Sequence, residues 1–251
     1  MFKKIRTVIA FCVWFVSYLI TRPFTRLFGT VRVHYEDGDL GKIQRPVIIA
    51  SNHKGSFDPW FLVSSLPFSV FMRLLPIRPL VSRKFSEENK VGRFVSALGL
   101  MSVVYYLYNV IPVPSVDSFE GKIHPLVKAL NNDETVLMFP EGRIVSGEDV
   151  RDLKKGIVHL QQRTDVPILP CGIRYDRRGF FLYDVHVSFG KPLFIPKDLY
   201  AAADDEGYAT ARRHLREKLV ELYHSGEKKT RSAATKNAKG LGYEQQSAGK
   251  A

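Results

Sequence analysis

Three short runs constrain the fold more than any other feature: VIIAS at 47–51, TVLMFP at 135–140 and VPILPCGI at 166–173. Each is short for a helix and too uniformly apolar for a half-exposed strand. Strands covered by helices on both faces read this way. The segments between them suit that cover. DPWFLVSSL opens with Asp58 and Pro59, a helix-start signature. Residues 90–108, 118–131, 152–163 and 206–223 also read as helices. VRVHY at 31–35, residues 77–82, VIPV at 110–113 and FFLYDVHVSF at 180–189 read as further strands. The expectation is an α/β fold: a mixed, largely parallel sheet flanked by helices.

The chain has 251 residues, enough for one substantial core, and we place it at 30–224. Beyond 225 the composition is Lys, Ser, Ala, Gly and Gln, with almost nothing to bury, which predicts a disordered basic tail over 225–251. The formal net charge is +12. Residues 1–26 carry five basic residues and no acid, and 225–251 carry six against two acids, so nine of the twelve charges sit at the ends. The middle is only mildly basic. It holds no zinc-finger spacing, RNP signature or helix-turn-helix pattern, so nucleic acid is not the expected partner.

Residues 1–29 read as an N-terminal membrane-associating helix. Its apolar run, Val8 to Ile20, has 13 residues and basic residues on both sides. A span needs roughly 20. TRPFTR follows without a small-x-small cleavage pattern. This predicts an uncleaved anchor in the interface of an anionic membrane, with Trp14, Phe15 and Tyr18 at interfacial depth. Residues 94–111 form a second uncharged stretch, either a buried helix and strand or a lipid-facing surface. Cys12 and Cys171 are isolated and read as small buried apolar residues. Two such cysteines fit a reducing compartment.

SNHKGSFD at 51–58 places His53 five residues before Asp58, and HYEDGD repeats that spacing with His34 and Asp39. On a continuous helix the two side chains would lie about 140° apart, so a working pair needs a bend. Only the first stretch supplies one. A buried strand ends at Ser51, Gly55 frees the backbone, and Asp58-Pro59 starts a helix. The C-terminal end of a strand in an α/β sheet is where sites form. His34 reads as an ordinary surface histidine. A histidine braced by a carboxylate can take a proton from a hydroxyl, which then attacks an acyl carbon directly.

Three further stretches join this one in order. Asn52, His53 and Asp58 match N-H-x4-D; Phe139, Pro140, Glu141 and Gly142 match F-P-E-G; Val166 to Pro170 match V-P-[IV]-x-P; and KKG at 154–156 fits a basic-Gly element before a helix. Over roughly 30–200 the chain resembles the glycerolipid acyltransferases, the 1-acylglycerol-3-phosphate acyltransferases and their relatives. The family's second motif differs here. NVIPVPS at 109–115 puts Ser115 where an Arg usually stands, and Arg143 directly follows Gly142. Both features resemble the acyltransferase half of bifunctional acyltransferase/acyl-ACP synthetases, which act on lysophosphatidylethanolamine.

The resemblance implies the roles. His53 is the general base and Asp58 orients it. Asn52, Glu141 and Gly142 bind substrate, Glu141 through glycerol hydroxyls or by bracing the loop. Arg143 holds the acceptor's phosphate. Apart from the resemblance, Arg83 and Lys84 follow the strand expected at 77–82, a position from which they could supply the charge that Ser115 lacks. No metal or bound cofactor is implied. The co-substrate is acyl-ACP or acyl-CoA, the acceptor a lysophospholipid, and the place the cytoplasmic face of the inner (plasma) membrane. Two alternatives stay open: a non-phosphate lipid acceptor, or a membrane-binding homologue without turnover.

Overall fold

A computed structural model describes residues 2–28, 30–36, 40–81, 100–114, 116, 118–145, 147, 150–177, 183–200 and 206–225. The expected tail, beyond Ser225, lies outside these. Seven strands form one sheet: β1 (Val31–Tyr35), β2 (Ile48–Ser51), β3 (Ile77–Val81), β4 (Ile111–Pro112), β5 (Thr135–Met138), β6 (Ile168–Arg177) and β7 (Tyr183–Phe189). Their order is β1-β7-β6-β2-β5-β3-β4. All neighbours are parallel except β6 and β7. The mixed, largely parallel α/β sheet is therefore as expected, and the three apolar runs are its three central strands.

Among the described residues the α-helices are α1 (Phe2–Phe28), α2 (Asp58–Ser65), α3 (Phe68–Leu74), α4 (Leu100–Leu107), α5 (Phe119–Leu130), α6 (Gly156–Thr164) and α7 (206–225). Alternate side chains of a strand point to opposite faces. Ile48 and Ala50 of β2 join a core shared with α5, α6 and α7. Ile49 joins a second core with Trp14, Leu62 and Phe71, from α1, α2 and α3. The close fit of α7 depends on Gly172, where a Cβ would stand 2.6 Å from the backbone of Leu222 and Tyr223.

Residues 68–74 give no separate helical signal, and α3 is an addition. Leu66 adopts an extended conformation before Pro67, as residues preceding proline do, so the helix stops and restarts.

α1 corrects several expectations. It runs for 27 residues, with Pro23 inside it, and Ile5–Pro23 is long and apolar enough to cross a membrane by length and composition. Yet Trp14 and Tyr18 do not point to lipid. Both are buried in the second core. Trp14 Nε1 donates to Ile77 O (2.9 Å), and Tyr18 OH donates to Leu66 O (2.9 Å). Ser17 meets Tyr108 (2.6 Å), Arg6 donates to Tyr105 O (3.3 Å) and Arg22 to Ser64 O (3.1 Å). One face is thus pinned from Arg6 to Arg22, about 24 Å of helix. The other face exposes Ile5, Val8, Phe11, Val16, Leu19 and Ile20. Cys12 lies exposed rather than buried, whereas Cys171 is buried as expected.

Candidate active site

β2 ends at Ser51, and the chain then bends to enter α2. Asp58, the first residue of α2, makes the bend. It is 0% exposed, and its carboxylate turns back onto the loop instead of capping its own helix. Oδ2 accepts from Lys54 N (2.6 Å), Gly55 N (2.9 Å) and His53 Nδ1 (2.8 Å), while Oδ1 accepts from Tyr175 OH (2.6 Å). A carboxylate that already receives amides and a phenol acts as acceptor at Nδ1 too, so Nδ1 carries the hydrogen and Nε2 the lone pair. Gly55 has no positive φ, so the bend rests on the Asp58 contacts and not on glycine's conformational freedom.

His53 is gripped from other sides by the loop after β5. Its ring stacks on Phe139, with centroids 4.0 Å apart. Its amide donates to Glu141 Oε1 (2.9 Å), and its carbonyl accepts from Val145 N (2.8 Å). Lys54 Nζ donates to Gly147 O (2.8 Å), tying the two loops again. The His53 side chain is 15% exposed, and Nε2 makes no hydrogen bond among the described residues. An imidazole oriented in this way can accept a hydroxyl proton at Nε2, and Asp58 stabilises the imidazolium that forms.

Glu141 is buried. Its other oxygen accepts from Arg151 N (3.2 Å), so it braces the loop from two sides. Burial raises its pKa more than the His53 and Arg151 amides lower it. Gly142 turns the loop at φ +73°, and a Cβ there would meet Lys154 Cε at 2.5 Å. Arg143 is exposed at the lip of this turn and makes no ion pair among the described residues. Asn52 differs from the expectation that it binds substrate. It is 0% exposed, and both ends of its amide bond the backbone of Ile173. Its role is to clamp β6. Arg83, Lys84 and Ser115 lie outside the described residues. His34 is half-buried, not on the surface, and its ring stacks on His186 at 5.8 Å.

Tyr175 was not visible as a site residue. It stands on β6, 117 positions from Asp58, and its one sequence signal is that it follows the VPILPCGI run. Burial first, then the charge and hydrogen bond of Asp58, raise its pKa well above the ordinary tyrosine value, so the phenol stays a donor. Among the described residues no cluster of three or more His, Cys, Asp or Glu is built to hold a metal ion.

The Acyltransferase family model matches residues 31–174, which include β2, the His53–Asp58 bend, the Glu141 loop and most of β6. The chain is a member of the Acyltransferase family. It is therefore an acyltransferase, and the His53–Asp58 bend lies within the matched region. A solved structure shares the acyltransferase fold seen here: that of the 1-acyl-sn-glycerophosphate (LPA) acyltransferase PlsC from Thermotoga maritima. It is 18% identical, with a TM-score of 0.53, and the match covers 88% of this chain and 83% of that one. The search of curated proteins found no match.

Proposed function

We propose that this acyltransferase moves a fatty acyl chain from a thioester, acyl-ACP or acyl-CoA, to the free hydroxyl of a lysophospholipid. The observation that carries the reading is the oriented dyad, with Nε2 of His53 left for a substrate proton. Nε2 takes the acceptor's hydroxyl proton as its oxygen bonds to the thioester carbon. The tetrahedral adduct then expels the thiolate by breaking the C–S bond. The proton on Nε2 passes to the departing sulfur, and His53 is regenerated. Arg143 holds the acceptor's phosphate, with Arg83 and Lys84 adding positive charge. Glu141 acts from behind, by fixing the amide of His53.

The reaction takes place at the cytoplasmic surface of an anionic membrane. Supporting this are the exposed apolar residues of α1 and, on α4, which packs against α1, the exposed Leu100, Val103 and Tyr106. Phe57, one residue before Asp58, is 68% exposed, so an apolar ring stands on the surface beside the His53–Asp58 bend. Such a surface suits a helix lying in the interface.

The test is a panel of lysolipids, with and without phosphate, given acyl-CoA or acyl-ACP and purified protein. Transfer to a lysophospholipid that falls roughly 10²–10⁴-fold in His53→Ala supports the reading. Transfer to no member of the panel sinks it. Rates indifferent to the acceptor's phosphate would favour a non-phosphate lipid, the reading that Ser115 suggests.

A further inference from the structure

β6 outruns its neighbour. Its register with β2 ends at Ser51 and Cys171, but β6 continues to Arg177 beside β7. Asn52 fills the first gap by bonding both backbone groups of Ile173. Two residues on, Tyr175 reaches over the bend. Its ring packs against Phe61 of α2 and Tyr183 of β7, with centroids 5.8 Å and 6.5 Å away. Its hydroxyl donates to Asp58 Oδ1 at 2.6 Å, short for a neutral donor and in the range of charge-assisted bonds.

The two oxygens of Asp58 are unequally served. Oδ2 receives three donors, and Oδ1 receives Tyr175 as its one bond among the described residues. No part of Asp58 is exposed, so solvent does not replace that bond. Without it, the carboxylate gains by turning to share the three donors between both oxygens. That turn would move Oδ2 off the line to Nδ1 and let the imidazole rotate on Phe139.

We propose that Tyr175 is a positioning residue of the transfer reaction: it locks the Asp58 carboxylate so that Nε2 of His53 stays aimed at the acceptor hydroxyl. This rests on the lysolipid acyltransferase reading, and it extends the dyad to a third side chain carried by the β6–β7 hairpin. Tyr175 touches no reacting atom. It acts through Asp58.

The experiment compares wild type, Tyr175→Phe and Tyr183→Phe. Tyr175→Phe keeps the ring that packs on Phe61. Acyl transfer gives kcat and the acceptor KM for each, and proton NMR of histidine-labelled protein follows the downfield Nδ1–H resonance of His53. In Tyr175→Phe, kcat falls about 10- to 100-fold, as loss of one bond to a charged group predicts, with KM within about twofold and the resonance moved. Tyr183→Phe, which keeps its ring and leaves Asp58 alone, changes none of these. Full kcat in Tyr175→Phe overturns the proposal, and so does lost activity with an unmoved resonance. If Tyr175→Phe melts early, 3-fluorotyrosine at 175 keeps ring and hydroxyl but donates more strongly. It should move the resonance opposite to Tyr175→Phe, and no movement overturns the proposal. Should wild type transfer no acyl group, the function proposed above fails, while the resonance still reports whether Tyr175 fixes the dyad.

Discussion

Asn52→Ala separates a clamp from a substrate ligand. β2 stops at Ser51, and the Asn52 amide takes the two backbone groups of Ile173 that a longer β2 would have paired, both at 2.8 Å. Ile173 and Asn52 are each 0% exposed, so alanine leaves an N–H and a C=O buried and unmet. Each stranded group costs about 1–3 kcal/mol, which makes roughly 4 kcal/mol for the pair. For a domain of this size each kcal/mol lowers the melting point by about 2–4 °C, so a fall of about 8–16 °C follows. Differential scanning fluorimetry in detergent measures it. Acyl-transfer kinetics well below the melt should give an acceptor KM within about twofold of the parent, because the amide never reaches the acceptor. A melting point within about 2 °C of the parent, less than about 1 kcal/mol, together with a raised KM, would refute the clamp.

Gly172→Ala should be costly for a different reason. Its Cβ would press on the backbone of Leu222 and Tyr223 at 2.6 Å, and displacing α7 costs about 1–3 kcal/mol, read from a denaturant titration. Gly142→Ala should lose only about 1–2 kcal/mol to its φ of +73°, since Lys154 can swing aside. Its kcat/KM should fall further than that loss of stability explains, because the turn carries Glu141. Glu141 is raised by burial, so the folded state holds its proton more tightly than the unfolded chain. Its contribution is present below the unfolded pKa and lost as pH rises through the folded one. Urea titrations from about pH 4 to about pH 7 should therefore show a smaller decline in Glu141→Gln than in wild type. Val8→Glu with Leu19→Glu, both on the outer face of α1, should release the protein from anionic vesicles in a flotation assay while stability moves by about 0.5 kcal/mol or less per site.

The sheet was legible because its central strands are buried on both faces, which leaves an uninterrupted apolar run in each. The bend at 53–58 was legible because a buried strand had to end and a helix begin there, whereas the loop at 139–143 stood out only through its resemblance to a family motif. Tyr175 was hidden because nothing local requires it. The demand for a donor at Asp58 Oδ1 arises only after β6 has been laid beside β2. Asn52 was misread for a related reason. The family motif sets it beside His53 among substrate-binding residues, and only the unequal lengths of β2 and β6 reveal the backbone groups of Ile173 that it takes. The aromatic residues of α1 were assigned to lipid because their spacing is the same whether the buried face meets a bilayer or a protein. The bonds from Trp14 to Ile77 and from Tyr18 to Leu66 decide between them.

The pinning of α1 has a practical corollary. An N-terminal helix that merely tethers an enzyme can be deleted or exchanged to bring the catalytic part into solution. Here deletion would strip Trp14 and Tyr18 from the core that also holds Leu62 and Phe71, baring a strip of apolar side chains along α2 and α3. A truncated chain would trade one sticky surface for another. Solubility is better sought by recolouring the outer face of α1 with polar residues and leaving its inner face in place.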